Sequence, residues 1–153
     1  MTDLLNALLH GAVYAVVGGA LVVLAYYVLD LLTPGHLGTH LLGDVRDDAG
    51  TTAGGPSYSA AVVASAWLVG VAAVVFTAIW TNGETSLGMA LLWTVVFGLL
   101  GILLNSVMLV AIDAVTPGDL RAIVCTPGRA VPLAYVAAST ALAVSAVVAA
   151  SIA

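Results

Sequence analysis

Lysine does not occur in this chain, arginine occurs three times, and charged residues of both signs make up only 7% of the sequence. Soluble domains carry about 25% charge, so an ordinary soluble fold is excluded before any pattern is read. The net charge of −5 leaves no basic footprint and argues against a nucleic-acid partner. A single cysteine, Cys125, permits no internal disulfide and none of the multi-cysteine metal motifs. No glycine-rich phosphate loop, HExxH or GxSxG occurs, and no histidine stands at a readable spacing from Cys125. The chain reads as a non-enzyme, with no cofactor and no metal site. Met1-Thr2-Asp3 carries an acid where a secretory signal would carry positive charge, so no cleaved signal is expected.

What is present is apolar. Hydrophobic residues make up 62% of the 153 positions. A bilayer is spanned by apolar runs of about 18 residues or more. Four such runs stand at about 5–32, 58–80, 88–115 and 132–152. Little chain is left to form a soluble domain. The expected fold is an all-α integral membrane protein with four transmembrane helices, a single domain over 1–153. Asp3 can cap the first helix and Ser86 the third. Gly11, Ala15, Gly18 and Gly19 form a smooth face on the first helix. Ala137, Ala141, Ser145, Ala149 and Ala153 recur every fourth position on the last, extended by Ala134 and Ala138. Small residues let helix backbones approach closely in lipid, and such stripes suggest a homo-oligomer. The segment 36–57 reads as the longest loop, with a short interfacial helix over 36–46. The segment 119–131 reads as a short loop, and Asn82-Gly83 marks a tight turn.

One element is written twice. Asp30-Leu31-Leu32-Thr33-Pro34-Gly35 recurs as Asp113-Ala114-Val115-Thr116-Pro117-Gly118, 83 residues further on. The duplication divides the chain into repeats 1–82 and 83–153, two tandem hairpins of like orientation. An even number of crossings per repeat places the axis relating them along the membrane normal, unlike inverted repeats. Asp30 and Asp113 should then lie at equal depth on equivalent helices. The prolines and glycines stop the helices. The aspartates admit two readings. In one, each carboxylate accepts N–H groups of the Thr-Pro-Gly turn and fixes the helix stop. In the other, the paired acids bind a cation or carry a proton, since intramembrane acids are functional candidates. Either way, a carboxylate at a helix C-terminus meets the negative end of the helix dipole, and something must offset that.

The remaining polar residues carry less. Asn105 lies inside the third span and reads as an interhelical hydrogen bond, or else as a pore-lining group. His36, His40 and Asp44 would share a face of that short helix, but Gly35, Gly38 and Gly43 weaken it. They read as solvated loop residues rather than metal ligands. Trp67, Tyr14 with Phe97, and Gly18 with Gly101 read as packing. All three arginines, Arg46, Arg121 and Arg129, fall between spans one and two or three and four. Under the positive-inside rule that side is cytoplasmic. The expectation is a multi-pass protein of the plasma membrane with both termini outside.

With these residues in view, the chain resembles domain of unknown function 350, the YjfL-like family of small four-span membrane proteins. The resemblance is carried by Tyr14 followed by Gly18, by Tyr26-Tyr27-x-x-Asp30-x-Leu32-Thr33-Pro34-Gly35, and by the repeat at 113–118. One departure is visible: the family often has an Asn shortly before an Ala-rich second span, where this chain reads Pro56-Ser57-Tyr58-Ser59-Ala60-Ala61. Members tend to be encoded beside phage-shock-type membrane-stress proteins and polyamine-synthase-like proteins. The resemblance therefore implies a homo-oligomeric scaffold in membrane or envelope stress, with cytoplasmic peripheral stress proteins as partners. The alternative is a conduit for cations, protons or polyamines past Asp30 and Asp113.

Overall fold

The structure, a computed structural model, describes residues 2–43, 54–82 and 86–153. Among the described residues six helices follow in order: α1 (Thr2–Leu32), α2 (Leu37–Leu42), α3 (Tyr58–Thr81), α4 (Leu87–Val115), α5 (Leu120–Cys125) and α6 (Pro132–Ile152). There is no strand among the described residues, only an isolated parallel bridge between Ser57 and Gly128. Helices α1, α3, α4 and α6 are each long and apolar enough to cross a membrane. At 1.5 Å per residue α6 is about 31 Å long and α1 about 46 Å, against a hydrocarbon core of about 30 Å. The helix starts differ slightly from expectation. Helix α1 begins at Thr2, so Asp3 sits in its first turn and not at its cap. Ser86 holds the N-cap position of α4 but makes no side-chain capping bond.

Two loop readings are corrected. The segment 119–131 is not a plain loop, because 120–125 form α5. The interfacial helix expected over 36–46 is α2, and it is shorter. Gly43 stops it in the left-handed region, with φ 75°. Asp44 and Arg46 lie outside the described residues, as do Gly83 to Thr85 of the expected turn.

Helix α3 lies against α1, α4 and α6, and α4 also touches α1 and α6. Helices α1 and α6 thus lie on opposite sides of the α3–α4 pair. Lipid tails are as apolar as leucine, so close packing rather than the hydrophobic effect must hold such helices together. The contacts reflect that. Ala134, Ala137, Ala138, Ala141 and Ser145 of α6 are buried. A Cβ on Gly18 of α1 would meet Val75, and one on Gly101 of α4 would meet Val74, each at 3.3 Å. Neighbouring valines of α3 therefore sit against a glycine on either side. Trp67, the largest fully buried side chain, donates Nε1–H to the Ala25 carbonyl of α1 at 3.2 Å. Leu31, Val115, Val16 and Phe76 point outward, as side chains facing lipid do.

Candidate functional site at the paired helix stops

Each stop is assembled from the chain's own polar groups. At the end of α1, Thr33 donates both its N–H and its hydroxyl to the Leu29 carbonyl, at 3.0 and 2.8 Å. At the end of α4, Thr116 does the same to Ile112, at 2.9 and 2.7 Å. One residue thus satisfies a carbonyl that the helix end would leave without a partner. Pro34 and Pro117 follow and cannot continue the helix. Gly35 and Gly118 then turn the chain with φ of 81° and 103°, a region that disfavours any side chain with a Cβ.

The aspartates complete the turns. Asp30 Oδ1 accepts the Leu37 N–H at 2.5 Å, and Asp113 Oδ1 accepts the Leu120 N–H at 2.9 Å. Each carboxylate reaches seven residues ahead, to the first residue of the next short helix. This supplies the offset that a carboxylate at a helix C-terminus requires: it meets free N–H groups as well as carbonyl ends. The two surroundings differ beyond that bond. Asp113 Oδ2 accepts Arg121 Nε–H at 2.8 Å, with the Asp113 side chain 13% exposed. Arg121 Nη1 also lies 3.5 Å from the Leu32 carbonyl at the end of α1. Asp30 has instead His36, Nδ1 to Oδ2 3.6 Å, and that imidazole is 83% exposed.

A second set of bonds ties the same end of the bundle. Ser57 donates its hydroxyl to the Val124 carbonyl at 2.7 Å and accepts Ala60 N–H. Its own N–H goes to the His40 carbonyl at 2.9 Å. Ser59 Oγ accepts Val131 N–H at 2.9 Å. Between them the Pro56 carbonyl accepts Gly128 N–H, and the Gly128 carbonyl accepts Tyr58 N–H, both at 3.2 Å. Both serines are fully buried. The bonding roles of Ser57, Ser59 and Arg121 were not read from the sequence, where Arg121 served only to set sidedness; for Arg121 the signal was present, as a cation eight residues after an acid.

Asn105 lies elsewhere, in the middle of α4 and 1% exposed. Its Nδ2 donates to the Gly101 carbonyl at 3.0 Å and across to Ser145 Oγ of α6 at 2.9 Å. Its Oδ1 has no partner among the described residues. It is not brought together with Asp30 or Asp113. His40 turns Nε2 to the Pro34 carbonyl, 2.9 Å away. Among the described residues no three His, Cys, Asp or Glu side chains gather as a metal site would need. Cys125 is buried and free, its thiol pushed up to about 11 by burial and, second, by Asp119. A thiol held protonated is a poor nucleophile.

Four apolar helices, with their polar chemistry concentrated at one end of the bundle, define a small multi-pass membrane protein. The chain belongs to the family described as Domain of Unknown Function (DUF350), whose model matches residues 3–152. It is 35% identical over 152 residues to a UPF0719 transmembrane protein of Mycolicibacterium paratuberculosis (strain ATCC BAA-968 / K-10), a match that covers 97% of this chain and 92% of that protein. No solved structure matches it.

Proposed function

We propose that the protein is a non-enzymatic scaffold of the plasma membrane, built from two tandem repeats, whose loop end presents a preformed face to cytoplasmic peripheral proteins of the membrane-stress response. The observation that carries the reading is the use made of the two aspartates. Both carboxylates accept backbone N–H groups, and one also holds an arginine. Groups so engaged hold a shape. The small cavities between the helices, about 30 Å³ beside the stops and about 10 Å³ beside Asn105, have room for about a single water each. Sidedness rests on Arg121 and Arg129 at the loop end and, by its place in the sequence between spans one and two, on Arg46; a cytoplasmic signal from a reporter fused to either terminus would overturn it. Homo-oligomerisation rests on α1, where a Cβ on Gly11 or Gly19 would meet nothing within 4 Å, leaving a smooth strip open to a second copy.

A second reading is favoured by one fact: the stops lie at the same end of the bundle, joined through Arg121, so an oligomer could gather several acids around a path. Flux of protons, K⁺ and spermidine through the purified protein in liposomes separates the readings, wild type beside Asp30→Asn/Asp113→Asn. The scaffold reading expects background flux from both. Flux in wild type that vanishes in the double variant, with assembly intact, refutes it in favour of a conduit.

A further inference from the structure

On the outer side of the loop end, the first turns of α3 and α6 flank an open groove of about 860 Å³, lined by Tyr58, Val62, Ser65, Arg129 and Tyr135 among others. Its upper edge is held rigid by backbone bonds: residues 128–131 are tied to 56–59 through Gly128, Tyr58 and the Ser59 hydroxyl. The backbone that carries Arg129 is therefore held beside the start of α3. Among the described residues Arg129 makes no ion pair. The described acids at this end are otherwise engaged: Asp113 with Arg121, Asp30 with Leu37 N–H, and Asp119 with Ala122 N–H. An exposed guanidinium, without an ion pair among the described residues, that shares a groove with two half-exposed tyrosines, Tyr58 at 59% and Tyr135 at 55%, is a typical arrangement for the headgroup level of a bilayer. Tyrosine belts mark that level, and arginine binds phosphate through paired N–H donors. Ser65 stands seven residues into α3, about 10 Å deeper at 1.5 Å per residue. Its exposed hydroxyl makes no hydrogen bond to the described residues, and Ala61 and Val62 give the wall between it and Tyr58 an apolar surface.

We propose that this groove is a binding site for one anionic phospholipid: the headgroup phosphate on Arg129 between Tyr58 and Tyr135, the glycerol ester level at Ser65, and an acyl chain running down between α3 and α6. Charge complementarity selects the occupant. A zwitterionic lipid brings its own cation to Arg129, whereas an anionic one supplies the missing counter-charge. The site is independent of the scaffold or conduit reading and of which side of the membrane the loop end faces.

The test is competition between spin-labelled phosphatidylglycerol and phosphatidylcholine for the full-length protein reconstituted in phosphatidylcholine vesicles. An arginine near an anionic lipid surface contributes about 1 kcal/mol, so wild type is expected to prefer phosphatidylglycerol about five-fold. Arg129→Gln should bring the preference below about two-fold, Arg129→Lys should retain most of it, and Arg121→Gln, whose guanidinium is taken by Asp113, should leave it unchanged. Arg129 is exposed and unpaired, so its replacement leaves the fold intact. Absence of a preference in wild type, or a preference that survives in Arg129→Gln, overturns the assignment.

Discussion

One chemical change, glycine to alanine, can be made at several depths of contact in this bundle, and the structure ranks the outcomes. On Gly70 of α3 a new Cβ would collide with Ser145 Oγ, lie 3.0 Å from Ser145 Cβ and 3.4 Å from the Ala141 carbonyl. The obstacle is the root of a short side chain and a backbone, so little can give. Overpacking of that kind costs about 1–3 kcal/mol. Displacing Ser145 also loses its bond from Asn105, about 0.6 kcal/mol for such bonds in membranes. Against this stands a gain of up to about 1 kcal/mol in helix propensity. The net expectation for Gly70→Ala is a loss of about 1–2 kcal/mol. At Gly98 the Cβ would meet Leu21 Cδ1 at 2.7 Å, the free end of a side chain that can rotate, and the cost should be under about 1 kcal/mol. At Gly18 and Gly101 the approach is 3.3 Å and the change should be near neutral; at Gly11 and Gly19 nothing stands in the way, and stability should hold or rise. The assay is unfolding in mixed micelles titrated with sodium dodecyl sulfate, followed by tryptophan fluorescence. Ser145→Ala supplies the internal control: its cost in wild type should largely disappear in the Gly70→Ala background, because the bond is already lost. If Gly70→Ala were as stable as Gly11→Ala, the close contact of Gly70 with Ser145 would be refuted. Gly11→Ile/Gly19→Ile extends the series to assembly, with weaker self-association at unchanged monomer stability expected if α1 carries the oligomer contact.

Two further outcomes follow from the loop end. Arg121→Gln should cost about 1.5 kcal/mol, between the values for exposed and buried pairs, since Asp113 is 13% and Arg121 37% exposed; a double-mutant cycle with Asp113→Asn that shows no coupling would refute the pair's importance. Cys125, with its thiol raised from 9.0 to about 11, should react with iodoacetamide at pH 8 about 100-fold more slowly than an unshifted thiol, and faster only on unfolding. The same shift has a stability counterpart: the folded state keeps the proton longer than the unfolded one, so its contribution is intact below pH 9 and is lost as pH rises from 9 toward 11; fast labelling of folded protein at pH 8 would contradict the burial.

The spans were legible because length and hydropathy decide them, and α6 starts and ends where its apolar run does. The helix stops were legible because Thr-Pro-Gly acts through local chemistry: a hydroxyl to a carbonyl four back, a missing N–H, a positive φ. Helix α5 was missed although the sequence held the clue. Positions 37–42 shifted by 83 are 120–125, so the short helix expected over 36–46 had a counterpart further along the sequence, but the Thr-Pro-Gly at 126–128 gives that segment the character of a loop. Ser57, Ser59 and Ser145 were invisible for a different reason. A serine in a helix or at its start reads as a small residue or a cap, and only tertiary packing shows that its partner is Val124, Val131 or Asn105 on another element. Which of the two long helices α1 and α4 lies at the edge was equally out of reach, since both are apolar all round and neighbours alone decide it.

The asymmetry between the stops has a physical reading. Position 121 is arginine, and the position 83 residues earlier is Gly38, so among the described residues the first stop has no guanidinium of its own. A Cβ on Gly38 would stand 3.7 Å from the Tyr26 hydroxyl, ordinary contact, so sterics alone do not keep a side chain out. The need is what differs. Arg121 neutralises Asp113 through Nε and at the same time points Nη1 at the Leu32 carbonyl of α1, one of the carbonyls that α1's end leaves without a helical partner. A single cation thus serves both helix ends, and a second would be in excess where Asp30 has an open flank, a backbone N–H and His36 within 3.6 Å. The duplicated element therefore behaves as one joined unit, with its strength on the side of α4. Removing Arg121 should loosen both stops, whereas removing His36 should loosen neither by more than the few tenths of a kcal/mol expected of an exposed pair.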